Sequence, residues 1–257
     1  MVTLFLPRNG RERTVMASRD GTRAGGAQET GKPPARPGGR REAHRREREQ
    51  TLEDAALKLF LARGLDGVTI DDITQAAGVA KGTFYRYFDD KAALVDGLLE
   101  PVRRELLAGL ETCGHSLAEA RNVEAMFDAY RAVAAVIASA LLQYPGVVRL
   151  YLQECRGPAV GARTKVAELA RQVARHAVDI TQKAHTSGLL RPIRPAVSGL
   201  AVVGAVERLL LAVLSEEDIG NPLELPDALT TLVLDGLRLP PEVRPGRRKL
   251  DGGPKRP

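Results

Sequence analysis

The sequence predicts an all-α chain: an N-terminal three-helix helix-turn-helix domain followed by a larger helical domain. Three observations lead there. The 257 residues are 44% hydrophobic but only 4% aromatic, with no Trp. The core is therefore aliphatic, rich in Leu, Val and Ala, which suits packed helices better than the β-branched and aromatic strands of a sandwich or barrel. Apolar residues past about position 50 recur at helical spacing, and no alternating strand with a hairpin turn is visible.

Taken in order, Leu52, Ala55, Ala56, Leu59 and Phe60 share one face of a first helix, which Gly64 stops. Thr69 is the N-cap of a second helix, with Asp71 and Asp72 in its first turn to meet the helix dipole. Gly78 ends it and supplies the positive φ of a tight turn. A third helix runs from about Ala80 to Tyr87, and Asp89-Asp90 cap a fourth that begins near Lys91. Ile70, Ile73, Ala77, Val79, Phe84 and Phe88 form a small core with Leu59 and Phe60. Further helices are expected near 102–113, 122–142, 146–155, 162–187, 196–215 and 223–237. The separators are Gly and Pro residues, among them Gly114, Pro145-Gly146 and Pro222. Pro101 removes a hydrogen bond to the Gly97 carbonyl, so a kink or break is expected there, either a plain helix boundary or a hinge.

The unit from Thr69 to Tyr87 is helix, turn, helix. Its second helix presents Lys81, Gly82, Thr83, Tyr85, Arg86 and Tyr87. Thr83 suits a phosphate, a base edge or a thymine methyl, Tyr85 a phosphate, and Gly82 a close backbone approach. Lys91 places charge beside the amides of a helix start, which favour a phosphate. The run GLDGVTIDDITQAAGVAKGTFYRYFDDKAALVDGLL, with the preceding LEDAALKLFLARG, resembles the DNA-binding region of the TetR family of bacterial transcriptional regulators over about residues 46 to 99. The resemblance implies DNA contacts at Thr69, Lys81, Gly82, Thr83, Tyr85, Tyr87 and Lys91. Ala80 departs from a commonly polar position, so one local cap or phosphate contact is expected to be missing.

Charge is uneven. Residues 1–48 carry twelve bases against five acids, a net of +7; residues 240–257 carry six against two, a net of +4; the middle is net −5. Residues 1–45, rich in Gly, Arg, Pro and Ala, and 240–257 are expected to be disordered. Met16 is an alternative start. Arg40, Arg41, Arg45, Arg46 and Arg48 make a basic arm that would either track DNA phosphates or serve as a solvated linker. The domains expected are thus 1–45 (arm), 46–99 (helix-turn-helix), 100–239 (helical ligand-binding and dimerisation) and 240–257 (tail).

For the second domain the resemblance implies dimerisation and a small-molecule effector. The stretch AVSGLAVVGAV, 196–206, is small or apolar all round and so must be covered on both faces. One face meets its own core; the other is expected to meet a second copy, with Gly199, Ala201, Gly204 and Ala205 allowing close approach. Leu229, Leu232, Val233 and Leu237 of 223–237 would complete a four-helix interface, the alternative being a buried helix of a monomer. Effector candidates are Tyr130, Tyr144, Tyr151 and His176, with Glu154 and Glu207 behind them.

Two Cys, Cys113 and Cys155, give no disulfide framework. The longest uncharged run, Ala132 to Val148, is too short for a membrane span, and Leu4-Phe5-Leu6 is too short for a signal peptide, so a cytoplasmic protein is expected. No metal-ligand spacing, phosphate loop or nucleophile motif appears, so neither an enzyme nor a cofactor is expected. The functional expectation is a homodimeric repressor on a palindromic operator, released by a small hydrophobic effector. A nonspecific nucleoid-type DNA binder is the competing reading.

Overall fold

The computed structural model describes residues 37–186, 191 and 193–237. These fold into nine helices: α1 (Pro37–Arg63), α2 (Ile70–Ala76), α3 (Lys81–Phe84), α4 (Lys91–Glu119), α5 (Val123–Gln143), α6 (Pro145–Glu154), α7 (Arg163–Thr186), α8 (Pro195–Leu214) and α9 (Leu225–Leu237). Among the described residues there is no strand.

The head is organised by caps and a compact core. The Thr69 hydroxyl accepts from the Asp72 amide at 3.2 Å, and the Asp72 carboxylate accepts from the Thr69 amide at 2.8 Å. This closes a capping box and starts α2. Gly78 takes φ +66° and turns the chain into α3. Asp90 Oδ1 accepts from the Ala93 amide at 2.7 Å and starts α4. Leu52, Phe60, Ile73 and Phe84 are completely buried; Ile70, Ala77 and Val79 lean on them, as expected.

Three boundaries differ from expectation. Residues 37–45, assigned to a disordered arm, belong to α1. No Pro or Gly interrupts Arg40 to Arg63, Arg and Glu are good helix formers, and Glu42 pairs with Arg46 at 3.1 Å one turn on. The rest of the expected arm and the expected tail, 240–257, lie outside the described residues. The recognition helix is shorter than expected: α3 ends at Phe84, and 85–87 form a turn. Finally, α4 runs unbroken through Pro101 and Gly114. Buried Leu98, Leu99 and Val102 hold it across the proline. Gly114 is a contact, not a breaker: a Cβ there would stand 3.1 Å from Lys183 Nζ of α7.

In the second domain α4 packs on α5 and α7, α7 on α8, and α5 on α9. A second core cluster, with Leu110, Leu117, Met126 and Leu234, lies there. Gly199 is likewise buried against α7, its missing Cβ 3.0 Å from the Ala177 carbonyl oxygen. It faces inward, which corrects its assignment to an outer dimer face. The helices α5 and α8 are long and apolar enough to cross a membrane by length and composition alone, with mean hydropathy 1.5 and 2.0. Both line one cavity of this bundle.

Candidate nucleic-acid interface and effector cavity

The seven expected DNA-contacting residues gather around α3 and its flanks but differ in freedom. Tyr85 is 51% exposed, propped edge-on against the buried Phe84 ring with centroids 5.5 Å apart. Gly82 is exposed, and a Cβ on it would meet nothing within 4 Å. The fold itself therefore does not require glycine there. Lys81 is exposed and pairs with Asp71 at 2.8 Å, which raises its pKa. No side chain caps α3 at Ala80, as the departure at that position implied. Thr83 and Tyr87 are half-buried, Tyr87 packing on the head core.

Thr69 adds a second bond to the cap expected of it, and Lys91 carries structural work that the sequence did not disclose. The Thr69 hydroxyl donates to Asp72 Oδ2 at 2.6 Å, and this bond holds the Asp72 carboxyl below its ordinary range. Lys91 Nζ donates to the carbonyls of Leu65 at 2.6 Å and Val68 at 2.8 Å. It thereby clasps the turn between α1 and α2. On α1, Arg45, Arg46 and Arg48 are exposed.

The same turn is clasped from the second domain. Glu154, 7% exposed at the end of α6, accepts from the Leu65 amide at 3.0 Å and from Arg163 Nε at 2.7 Å. Arg163 also pairs with Asp66 at 2.8 Å. Thus Glu154, an effector candidate in the sequence, joins α6 to the head instead.

The cavity has a volume of about 310 Å³ and is walled by α4 to α9. Of the four effector candidates, Tyr130 and Tyr151 line it, whereas Tyr144 and His176 do not. Tyr144 sits at the junction of α5 and α6 and packs on the first core cluster. His176 Nδ1 faces the Gln172 carbonyl of its own helix at 2.9 Å. Neither side chain lines this cavity, because helical apolar spacing does not say which neighbour fills the gap.

The wall is almost wholly apolar. Its Thr181, Ser198 and Thr230 hydroxyls all donate to carbonyls of their own helices. Burial pushes the Cys113 thiol up to about 11, so it stays neutral. The remaining polar groups are the Tyr130 hydroxyl and a pair: Tyr151 donates to Glu207 Oε1 at 2.8 Å. Burial first, then the Glu207 charge, pushes the Tyr151 phenol above its ordinary range; burial does the same to Tyr130.

Residues outside the cavity divide the expected dimer helices. Val197 (61% exposed), Leu200 (51%) and Ala201 lie open on α8, and Leu232 (71%) lies open on α9. Leu229 and Val233 turn inward and line the cavity. Leu237 ends α9, and its side chain lies outside the described residues.

Residues 52–98 match the family described as bacterial regulatory proteins, tetR family. The chain is 31% identical over 137 residues to the HTH-type transcriptional regulator SrpR of Pseudomonas putida, covering 53% of this chain and 63% of that protein. It is 44% identical over 52 residues to the HTH-type transcriptional repressor KstR2 of Rhodococcus jostii (strain RHA1), covering 20% of this chain and 26% of that protein. The chain thus spans under two thirds of these curated relatives. Among solved structures, native NalD, the secondary repressor of the MexAB-OprM multidrug efflux pump in Pseudomonas aeruginosa, aligns with TM-score 0.58 at 19% identity, over 76% of this chain and 98% of that one. FadR from Bacillus subtilis in complex with stearoyl-CoA aligns with TM-score 0.55 at 18% identity, over 73% and 98%. These last two share the fold. With its capped helix-turn-helix and its matched segment, residues 52–98 form a helix-turn-helix domain of the tetR family of bacterial regulatory proteins, followed by an all-helical second domain.

Proposed function

We propose that this chain is a cytoplasmic transcriptional repressor that binds a palindromic operator as a homodimer and releases it on taking up a small hydrophobic effector. The observation that carries the reading is the exposed α3, a short rod bearing Gly82 and followed directly by the exposed Tyr85, on a head fixed by two caps and a fully buried Phe84. Such a rod suits a major groove, with the Lys81, Thr83 and Tyr87 side chains beside it. Thr69 and Lys91 act at the edge of the interface, where each also holds the backbone in place. The exposed arginines of α1 add sequence-independent attraction to phosphates.

Two copies meet through the outer stripe of α8 and α9, where Val197, Leu200, Ala201 and Leu232 are open to solvent. An apolar stripe of this kind is covered at a stable interface. Two-fold symmetry sets the recognition rods about 34–36 Å apart, one turn of duplex. The effector enters the cavity and shifts the balance between head spacings that fit and do not fit successive grooves. The cavity wall and the head meet in α6, which lines the cavity with Tyr151 and grips the Leu65 amide with Glu154.

The test is selection of DNA from a random-sequence pool by the purified full chain. The reading expects one two-fold-symmetric site, preferred over bulk DNA by about 10³ or more. Even recovery of all sequences would overturn it and favour the nonspecific binder.

A further inference from the structure

The cavity is nearly featureless except at one point, and that point is a carboxylate. Among the described residues Glu207 is the one carboxylate on the wall, and no Lys, Arg or His lines it. Its side chain is only 15% exposed. One oxygen accepts from Tyr151, whose own hydroxyl proton is thereby committed inward. The other oxygen accepts from Arg156 Nη2 at 2.9 Å, but that arginine is 71% exposed and reaches the carboxylate from the solvent side. A carboxylate oxygen has more acceptor sites than these two partners fill. The only other uncommitted polar group in the wall is the Tyr130 hydroxyl, which makes no hydrogen bond among the described residues.

We infer that the effector is an apolar molecule carrying a cationic or hydrogen-bond-donating headgroup, seated on Glu207, and that an anionic headgroup is rejected there. Arg156 pairs with Glu207 from the solvent side, and a donor brought to the carboxylate from the cavity side makes a further charge-assisted bond in an apolar surround. A carboxylate brought to the same place meets like charge, while Arg156, the one cation on Glu207, lies outside the cavity lining and is already paired. Glu207 therefore sets headgroup selectivity, and the apolar wall accepts the chain with little regard to its detail. This deepens the reading of the cavity as the effector site and rests on it.

The experiment is calorimetric titration of the full-length protein at pH 7.5 with three probes of equal chain length: decylamine, decanol and decanoate. Decylamine is expected to bind about tenfold or more tightly than decanoate, with decanol between them. Glu207→Gln is expected to lower decylamine affinity by about tenfold and to erase most of the difference. Arg156→Gln, which frees one carboxylate oxygen, is expected to move the other way and strengthen decylamine; it keeps the test alive if the Glu207 variant does not fold. Equal or tighter binding of decanoate, or an unchanged ratio in both variants, would overturn the inference. So would binding of none of the three probes. Operator binding is measured separately on the same sample. If operator binding is lost while amine selectivity holds, the regulator reading fails and the headgroup assignment stands; the reverse result strikes only the assignment.

Discussion

The head and the second domain are both helical and both aliphatic, yet they are built on different economies of space. In the head a few side chains are irreplaceable. Phe60, Ile73 and Phe84 are fully buried in a small volume, and the starts of α2 and α4 are each fixed by a side-chain cap. The second domain instead surrounds an open volume of about 310 Å³ with interchangeable aliphatic residues. A small dense core holds a recognition surface still; a loosely filled bundle leaves room for a guest. The difference predicts how each region responds to damage.

The largest effect belongs to the head. Phe84→Ala should cost about 3–5 kcal/mol, because nothing nearby can fill the space of the ring. Chemical denaturation would show it, and a loss under about 1 kcal/mol would mean the head is not the rigid unit described. Next comes the junction. Glu154→Gln turns an amide donor toward Arg163 Nε, or leaves the Leu65 amide without its acceptor, and should cost about 1–3 kcal/mol. If hydrogen exchange at Leu65 is unaltered in that variant, the clasp is not what holds the turn.

In the second domain a truncation facing the cavity should be mild. Val203→Ala enlarges a space that is already open, and should cost about 1 kcal/mol or less. A loss as large as that of Phe84→Ala would erase the contrast between the two regions. The smallest effect is electrostatic. Burial first, then Glu49 and Asp54, raises the pKa of Glu53 from 4.5 to about 7. The folded head therefore holds a proton that the unfolded chain releases between pH 4.5 and 7, and stability falls as pH rises across that window. Because Glu53 is partly solvated, the loss should be no more than about 1 kcal/mol. Glu53→Gln should flatten this slope in melting temperatures taken from pH 4.5 to 8; an identical slope would exclude Glu53 as its source.

The same contrast explains what the sequence disclosed. Thr69, Gly78 and Asp90 announce their roles because caps and left-handed turns demand particular residue types, and the head was read from them almost residue by residue. Inside the bundle the signals were ambiguous. Gly114 and Gly199 look like helix breakers or dimer contacts, whereas they are places where α7 comes close. Tyr144 and Tyr151 both pack on the first core cluster, and only the three-dimensional path of α6 puts Tyr151 in the cavity wall as well. Lys91 and Glu154 were legible as charges but not as clasps, since their partners are backbone groups 23 to 89 residues away. Backbone partners leave no mark in a sequence.

The central claim is that α3 faces outward to meet DNA at close range, and Gly82→Ala tests it most directly. The added methyl meets nothing within the protein and removes backbone freedom from the unfolded chain. Operator affinity and melting temperature should therefore part company: the melting temperature holds or rises, while affinity for the selected operator falls by about tenfold or more as the methyl intrudes on the duplex. Unchanged operator affinity in a folded Gly82→Ala protein would contradict the account.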